Sequence, residues 1–146
     1  MRSYIWVDGD EYCGRIQAFL EEIDEIMLPR LRGRVDIEKY AFKLSEKADT
    51  LFVVEDGIDI ASCSIYCNKK EAFITSIAVK QQFMHRHIGT DMMKEIKQHA
   101  KEKECRAIQL KVHKENESAL NFYKKNGFAS KQKSGEWIAM ECKLNY

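Results

Sequence analysis

The sequence contains a single proline in 146 residues and no tract rich in proline, glycine or serine, so nothing in it marks a linker. That continuity predicts one domain over residues 1–146, of a size that buries roughly 70% of its unfolded surface. Charge of one sign is also missing. The 24 lysines and arginines stand against 23 aspartates and glutamates, and a net charge of +1 provides no long-range field to gather nucleic acid or an anionic membrane. No apolar run approaches the ~20 residues of a membrane span, and the first ten residues turn acidic where a secretory signal is apolar. A cytoplasmic location is therefore expected. Cys13, Cys63, Cys67, Cys105 and Cys142 are odd in number and form no C-x-x-C pair, unlike a disulfide framework or a zinc knuckle. Cys63 and Cys67 lie four apart in a strand-like segment, which at ~3.3 Å per residue separates them by about 13 Å, too far to share a disulfide or a metal ion. Reduced thiols and no metal site are the expectation.

What is present is a globular composition, 45% hydrophobic and 32% charged, with clear periodicity. Ile16, Phe19, Leu20, Ile23 and Met27 recur at helical spacing and predict a helix from Asp10 to Leu28, ended by Pro29. An arginine-rich loop, Arg30-Leu31-Arg32-Gly33-Arg34, precedes a second helix capped by Asp36, with Ile37, Tyr40, Ala41 and Leu44 as its stripe. From residue 50 the period becomes two. Leu51 to Val54 and Ile58 to Tyr66 flank Glu55-Asp56-Gly57, a hairpin signal, and after a turn at Asn68-Lys69-Lys70 the run Ala72 to Val79 suits a central strand. Beyond the loop Lys80 to His87, a helix carries Ile88, Met92, Met93, Ile96 and Ala100, and Ala107 to Val112 reads as a strand. Strand, helix and strand in that order predict a parallel βαβ crossover. A short helix from Asn116 to Asn126, with Gly127 after it, and a hairpin of Phe128 to Lys133 and Trp137 to Leu144 close the chain. The order ααβββαβαββ predicts an α/β (α+β) mixed sheet with helices on both faces.

At Gly89-Thr90 the third helix begins with unpaired N–H groups at the positive end of its dipole. Such an end either binds phosphate or merely makes a tight turn. The segment from Val112 to Phe128 spells V-x3-N-x2-A-x3-Y-x3-G-F, placed after a βαβ unit whose helix opens Ile88-Gly89-Thr90. This constellation resembles the GCN5-related N-acetyltransferase (GNAT) superfamily, closely over residues 50 to 130. The resemblance implies a GNAT-like acyl-CoA N-acyltransferase fold and an acetyl-CoA-dependent N-acetyltransferase that transfers the acetyl group directly to a primary amine, with no metal.

In that family acetyl-CoA lies where the fourth and fifth strands splay apart, so Ile77, Ala78 and Val79 would offer backbone groups to the pantetheine arm, as to an added strand. The pyrophosphate would lie on Met84, His85, Arg86, His87, Ile88, Gly89 and Thr90. Aligned with the family's R/Q-x-x-G-x-G/A loop, Met84 replaces the usual arginine or glutamine and His87 the first glycine, while Arg86 and the flanking histidines bring positive charge. Asn116 would reach the pantetheine arm or cap its helix. Tyr123 corresponds to the tyrosine beside the thioester sulfur. A phenol of pKa about 10 suits a general acid for a thiolate of pKa about 8.5, and its other reading is a core aromatic. Relatives often carry a glutamate near Thr75, which cannot accept a proton here, so no general base is assigned. The acceptor expected is a small-molecule amine such as an amino sugar; a protein lysine or N-terminus, or a non-catalytic acyl-CoA-binding module, are the alternatives, and a homodimer is compatible with each. Arg30, Arg32 and Arg34 either bind an anionic acceptor or pair with Glu21, Glu22 or Asp36 in a solvated loop.

Overall fold

The computed structural model describes residues 1–27 and 30–145. Among these, the chain runs β1 (Arg2–Val7), α1 (Cys13–Ile23), α2 (Ile37–Lys47), β2 (Asp49–Glu55), β3 (Ile58–Tyr66), β4 (Glu71–Val79), α3 (Ile88–Glu102), β5 (Ala107–His113), α4 (Glu117–Lys125), β6 (Ala129–Ser134) and β7 (Trp137–Lys143). The mixed sheet with helices on both faces is as expected, but a strand precedes the first helix. In β1 the burial alternates, with Tyr4 and Trp6 resting partly covered on the core, and the strand pairs antiparallel along β2. The predicted helix from Asp10 is shorter than its stripe: 3₁₀ turns at Asp10–Tyr12 and Asp24–Ile26 flank α1. Its expected end at Leu28 and Pro29 lies outside the described residues.

Local chemistry accounts for the other boundaries. Asp36 caps α2, its carboxylate accepting from the Lys39 N–H at 3.2 Å. In the β2–β3 turn, Asp56 (φ 53°) and Gly57 (φ 76°) are both left-handed, as a tight hairpin that follows the strand twist requires. Gly127 (φ 93°) follows α4 in a conformation that glycine adopts freely.

The sheet order is β1-β2-β3-β4-β5-β7-β6, and β4–β5 is its parallel pair. Side-chain alternation divides the interior into two cores. Leu51 and Val53 join Ile88, Met92, Met93 and Ile96 of α3 on one face, while Phe52 between them joins Ile16, Phe19, Leu20, Ala41 and Leu44 of α1 and α2 on the other.

The constraint on the site comes from β4. Its pairing with β5 covers Glu71 to Phe73, opposite Ala107 to Gln109, and then ends. On its other edge β4 pairs with β3 up to Val79, but the register jumps from Ile74–Ile65 to Ser76–Ser64, leaving Thr75 as the extra residue of a bulge. The bend occurs where β4 leaves β5.

Phe52 is wholly buried, with the Phe19 ring edge-on at 6.4 Å and the Arg15 guanidinium 4.2 Å above it. Phe52→Ala should lower the free energy of unfolding by about 3–5 kcal/mol in denaturant titrations. Ile58→Ala, at a side chain 48% exposed, should stay within about 0.5 kcal/mol of the parent.

Candidate active site

Where β4 and β5 part, a cavity of ≈ 560 Å³ opens between residues 74–79 of β4, the end of β5, the start of α3 and the inner face of α4. The parting leaves backbone N–H and C=O groups of both strands without a ladder partner across the gap, and such groups seek one. Tyr40 of α2 pins the bulged residue from below. Its hydroxyl lies 3.0 Å from the Thr75 carbonyl and 2.6 Å from the Thr75 hydroxyl. One phenolic proton serves one acceptor, so Tyr40 donates to the carbonyl and the threonine hydroxyl donates back. Burial holds the Tyr40 pKa above that of a free phenol.

The loop into α3 closes one end of the cavity. His85 (φ 64°) and His87 (φ 61°) are both left-handed. Histidine thus takes a conformation that glycine adopts more cheaply, at a cost of order 1–2 kcal/mol per residue. His87 is the N-cap, and the Asp91 N–H makes the bond to its carbonyl at 3.2 Å, so the N–H groups of Ile88, Gly89 and Thr90 precede the first helical hydrogen bond. Gly89 itself has an ordinary helical φ. A Cβ there would stand 3.0 and 3.2 Å from two ring carbons of Phe122, so the glycine lets α3 pack against α4 at the cavity wall.

Of the residues expected to contact the cofactor, Ile77, Ala78, Val79, Met84, His85, His87, Ile88, Gly89, Thr90, Asn116 and Tyr123 line the cavity. Arg86 does not; its guanidinium sits 5.4 Å over the Phe83 ring. Asn116 caps α4, its Oδ1 accepting from the Ala119 N–H at 3.2 Å, while its amide N–H2 remains available at the cavity. Tyr123 is buried between the edge-on rings of Phe122 and Phe128, at 5.5 and 5.6 Å. Burial pushes its phenol pKa well above the usual value, with Cys63 adding to the shift, so it stays protonated. Among the described residues its hydroxyl has no hydrogen-bond partner.

The three arginines separate. Asp24, 1% exposed, receives the Arg30 guanidinium at 2.7 Å, the Arg32 N–H at 2.8 Å and the Arg32 Nε at 3.4 Å. The Arg32 N–H, with help from both guanidiniums, holds the Asp24 carboxyl below its ordinary range. The expectation of a three-arginine acceptor site is thereby corrected: Arg30 and Arg32 are committed to Asp24, and neither lines the cavity. Nor does Glu22 pair with them, since it meets Lys80 at 2.8 Å. Arg34 does line the cavity, 5.3 Å over the Trp137 ring.

The further lining residues include Lys111, His113 and Trp137, and the rings of the last two meet edge-on at 5.5 Å. His113 Nδ1 accepts from the Glu115 N–H at 3.2 Å, which leaves the proton on Nε2, 3.3 Å from Glu136. A histidine ending an apolar strand was the available signal for this residue. No carboxylate lines the cavity among the described residues.

The sequence profile of the acetyltransferase (GNAT) family matches residues 15–128. An uncharacterised N-acetyltransferase of Methanocaldococcus jannaschii is 34% identical over 141 residues, covering 83% of this chain and 61% of that protein. The spermidine N(1)-acetyltransferase of Thermoplasma acidophilum is 30% identical over 86 residues, 59% of this chain and 52% of that one. The chain thus spans little more than half the length of these curated relatives. In three dimensions, the PaiA N-acetyltransferase of Thermoplasma acidophilum, solved with coenzyme A, superposes with a TM-score of 0.78 at 19% identity over 97% of this chain and 99% of its own. A parted β4–β5 pair, a helix opening beneath it and a profile match over most of the length leave one assignment: the chain belongs to the GNAT acetyltransferase family.

Proposed function

We propose that this chain is an acetyl-CoA-dependent N-acetyltransferase whose acceptor is a small primary amine bearing a negative charge, such as an amino sugar carrying phosphate. The observation that carries the reading is the stretch of β4 left without a partner on its β5 side, leading into a left-handed loop and a helix start with free N–H groups. An extended arm with amide groups suits the first part and a pyrophosphate the second, so the residues present fit coenzyme A. When bound, acetyl-CoA supplies an activated thioester. The backbone groups of Ile77 to Val79 hold the arm and polarise the carbonyl, Gly89 and Thr90 neutralise phosphate charge, and Asn116 offers its free amide donor. Tyr123 keeps its proton at Oη and is the donor for the departing sulfur.

The acceptor reading rests on charge. Arg34 faces the cavity over Trp137, and the described lining contains no carboxylate. A polycation such as the spermidine named for the Thermoplasma relative would lack a counter-charge in such a cleft, whereas an anionic group gains a guanidinium.

Thiol release with acetyl-CoA and paired panels of anionic amino sugars and polyamines tests this directly. Higher kcat/KM on the anionic panel supports the reading, and preference for polyamines overturns it. Arg34→Gln should raise the acceptor KM by roughly 10-fold or more while leaving the acetyl-CoA KM in place, the scale of one charged hydrogen bond. Arg30→Gln and Arg32→Gln should leave acceptor kinetics near normal. Tyr123→Phe should lower kcat about 10-fold to 1000-fold with a small effect on the acetyl-CoA KM. Because burial raises the Tyr123 pKa, no fall in rate from its deprotonation is expected up to about pH 10. Calorimetry on Gly89→Val should show weakened coenzyme A binding, and denaturant titration a stability loss of about 1–3 kcal/mol from the clash with Phe122.

A further inference from the structure

Remote from the cleft, three donors of different chemistry converge: Asp49 at the start of β2, Cys67 just past β3 and His99 near the end of α3. One ligand atom from each lies within 4.8 Å of the others. His99 is ten residues beyond Gly89, about 15 Å along the helix at 1.5 Å per residue, so the group is not part of the cavity described above. We propose that Asp49, Cys67 and His99 form a zinc-binding site, with the fourth position open to water.

The donor set favours zinc over harder cations. A thiolate and an imidazole select a borderline metal, and the carboxylate is an ordinary third ligand. Their geometry is close to what the ion needs. His99 Nε2 and Asp49 Oδ2 are 2.8 Å apart, sharing a proton. Two such ligands at about 2.0–2.1 Å on a tetrahedral ion stand roughly 3.3 Å apart, so the pair opens by about half an ångström as the ion replaces the shared proton.

The surroundings hold the site in shape. The Trp6 ring stacks on His99 at 3.7 Å and 10°, fixing the imidazole plane. A second sulfur stands beside the site, that of Cys105, whose thiol lies 3.4 Å from the Lys69 carbonyl oxygen. A cavity of ≈ 120 Å³ lined by Trp6, Asp8, Asp49, His99 and Lys103 gives access and room for the water. Charge balances as well. Zinc with one thiolate and one carboxylate is neutral, so the half-buried site carries no net charge beside the Lys103 ammonium, with Asp8 and Glu71 as the neighbouring carboxylates. Binding forms bonds from zinc to the Cys67 sulfur and to His99 Nε2, releases the thiol proton to solvent and leaves the imidazole neutral with its single proton on Nδ1.

The test uses the full chain, reduced and stripped with a chelator, titrated with zinc against a chromogenic competitor and separately with cobalt(II). The expected result is one zinc per chain retained through desalting, a thiolate-to-cobalt charge-transfer band, and a Tm raised by roughly 5–10 °C at a hundredfold excess over Kd. Cys67→Ser should abolish the band and weaken zinc at least about 10-fold, and Asp49→Asn, which preserves shape, should weaken it by a similar factor. Failure to retain zinc in the parent overturns the site. Equal affinity in the parent and in Cys67→Ser also overturns it. None of these readouts involves acetyl transfer.

Discussion

Parallel pairing between β4 and β5 stops after Phe73 and Gln109, and the remaining features of the cleft follow from that early end. β4 stays in register with β3 by taking up an extra residue at Thr75, so its far half bends away while remaining part of the sheet. The crossover that must join two parallel strands then places the start of α3 beneath the gap. Backbone groups that a continuous sheet would have paired are left at a cavity wall, and the first N–H groups of α3 lie at its end. Side chains refine this arrangement. Tyr40 ties down the bulge, and Phe122 sets how closely α4 approaches α3 at Gly89.

Binding geometry here has a stability cost that the rest of the molecule offsets. Two left-handed histidines and a strand edge without a partner are each unfavourable for the isolated fold, while both faces of the sheet carry fully buried aliphatic and aromatic side chains. The loop between α1 and α2 is organised by a buried carboxylate rather than by solvent. Asp24 gathers Arg30 and Arg32, and Arg34, three residues past the 3₁₀ turn's start at Leu31, is left to face the cleft.

Features decided by neighbours in sequence were legible in it. The strand Ile58–Tyr66, the Asp36 and Asn116 caps and the left-handed Gly127 follow from alternation, short polar side chains and glycine's freedom, all local properties. Around Tyr123 it was the family resemblance, not a local property, that pointed to residues such as Asn116 and Tyr123, and both line the cavity. Features decided by tertiary partners were not legible. β1 is an edge strand in which alternate residues are half exposed, so its pattern is weak without β2 beside it. Charge proximity in sequence pointed Arg30 and Arg32 towards Glu21, Glu22 or Asp36, yet Asp24 wins because it is buried and also accepts a backbone N–H. The loop at His87 reads as a departure from glycine, but the residue takes the left-handed form regardless. Spacing along β3 says nothing of Asp49 and His99, which strand register and helix packing bring to Cys67 from far along the chain.

Amide hydrogen exchange with and without acetyl-CoA reads the very backbone groups on which the cleft depends. If acetyl-CoA occupies the gap, exchange slows in two stretches, Ile77 to Val79 of β4 and His85 to Thr90 at the entry to α3, with little change in β1, β2 or β6. Unchanged exchange in both stretches at saturating acetyl-CoA, or protection appearing elsewhere in the sheet, would contradict that placement.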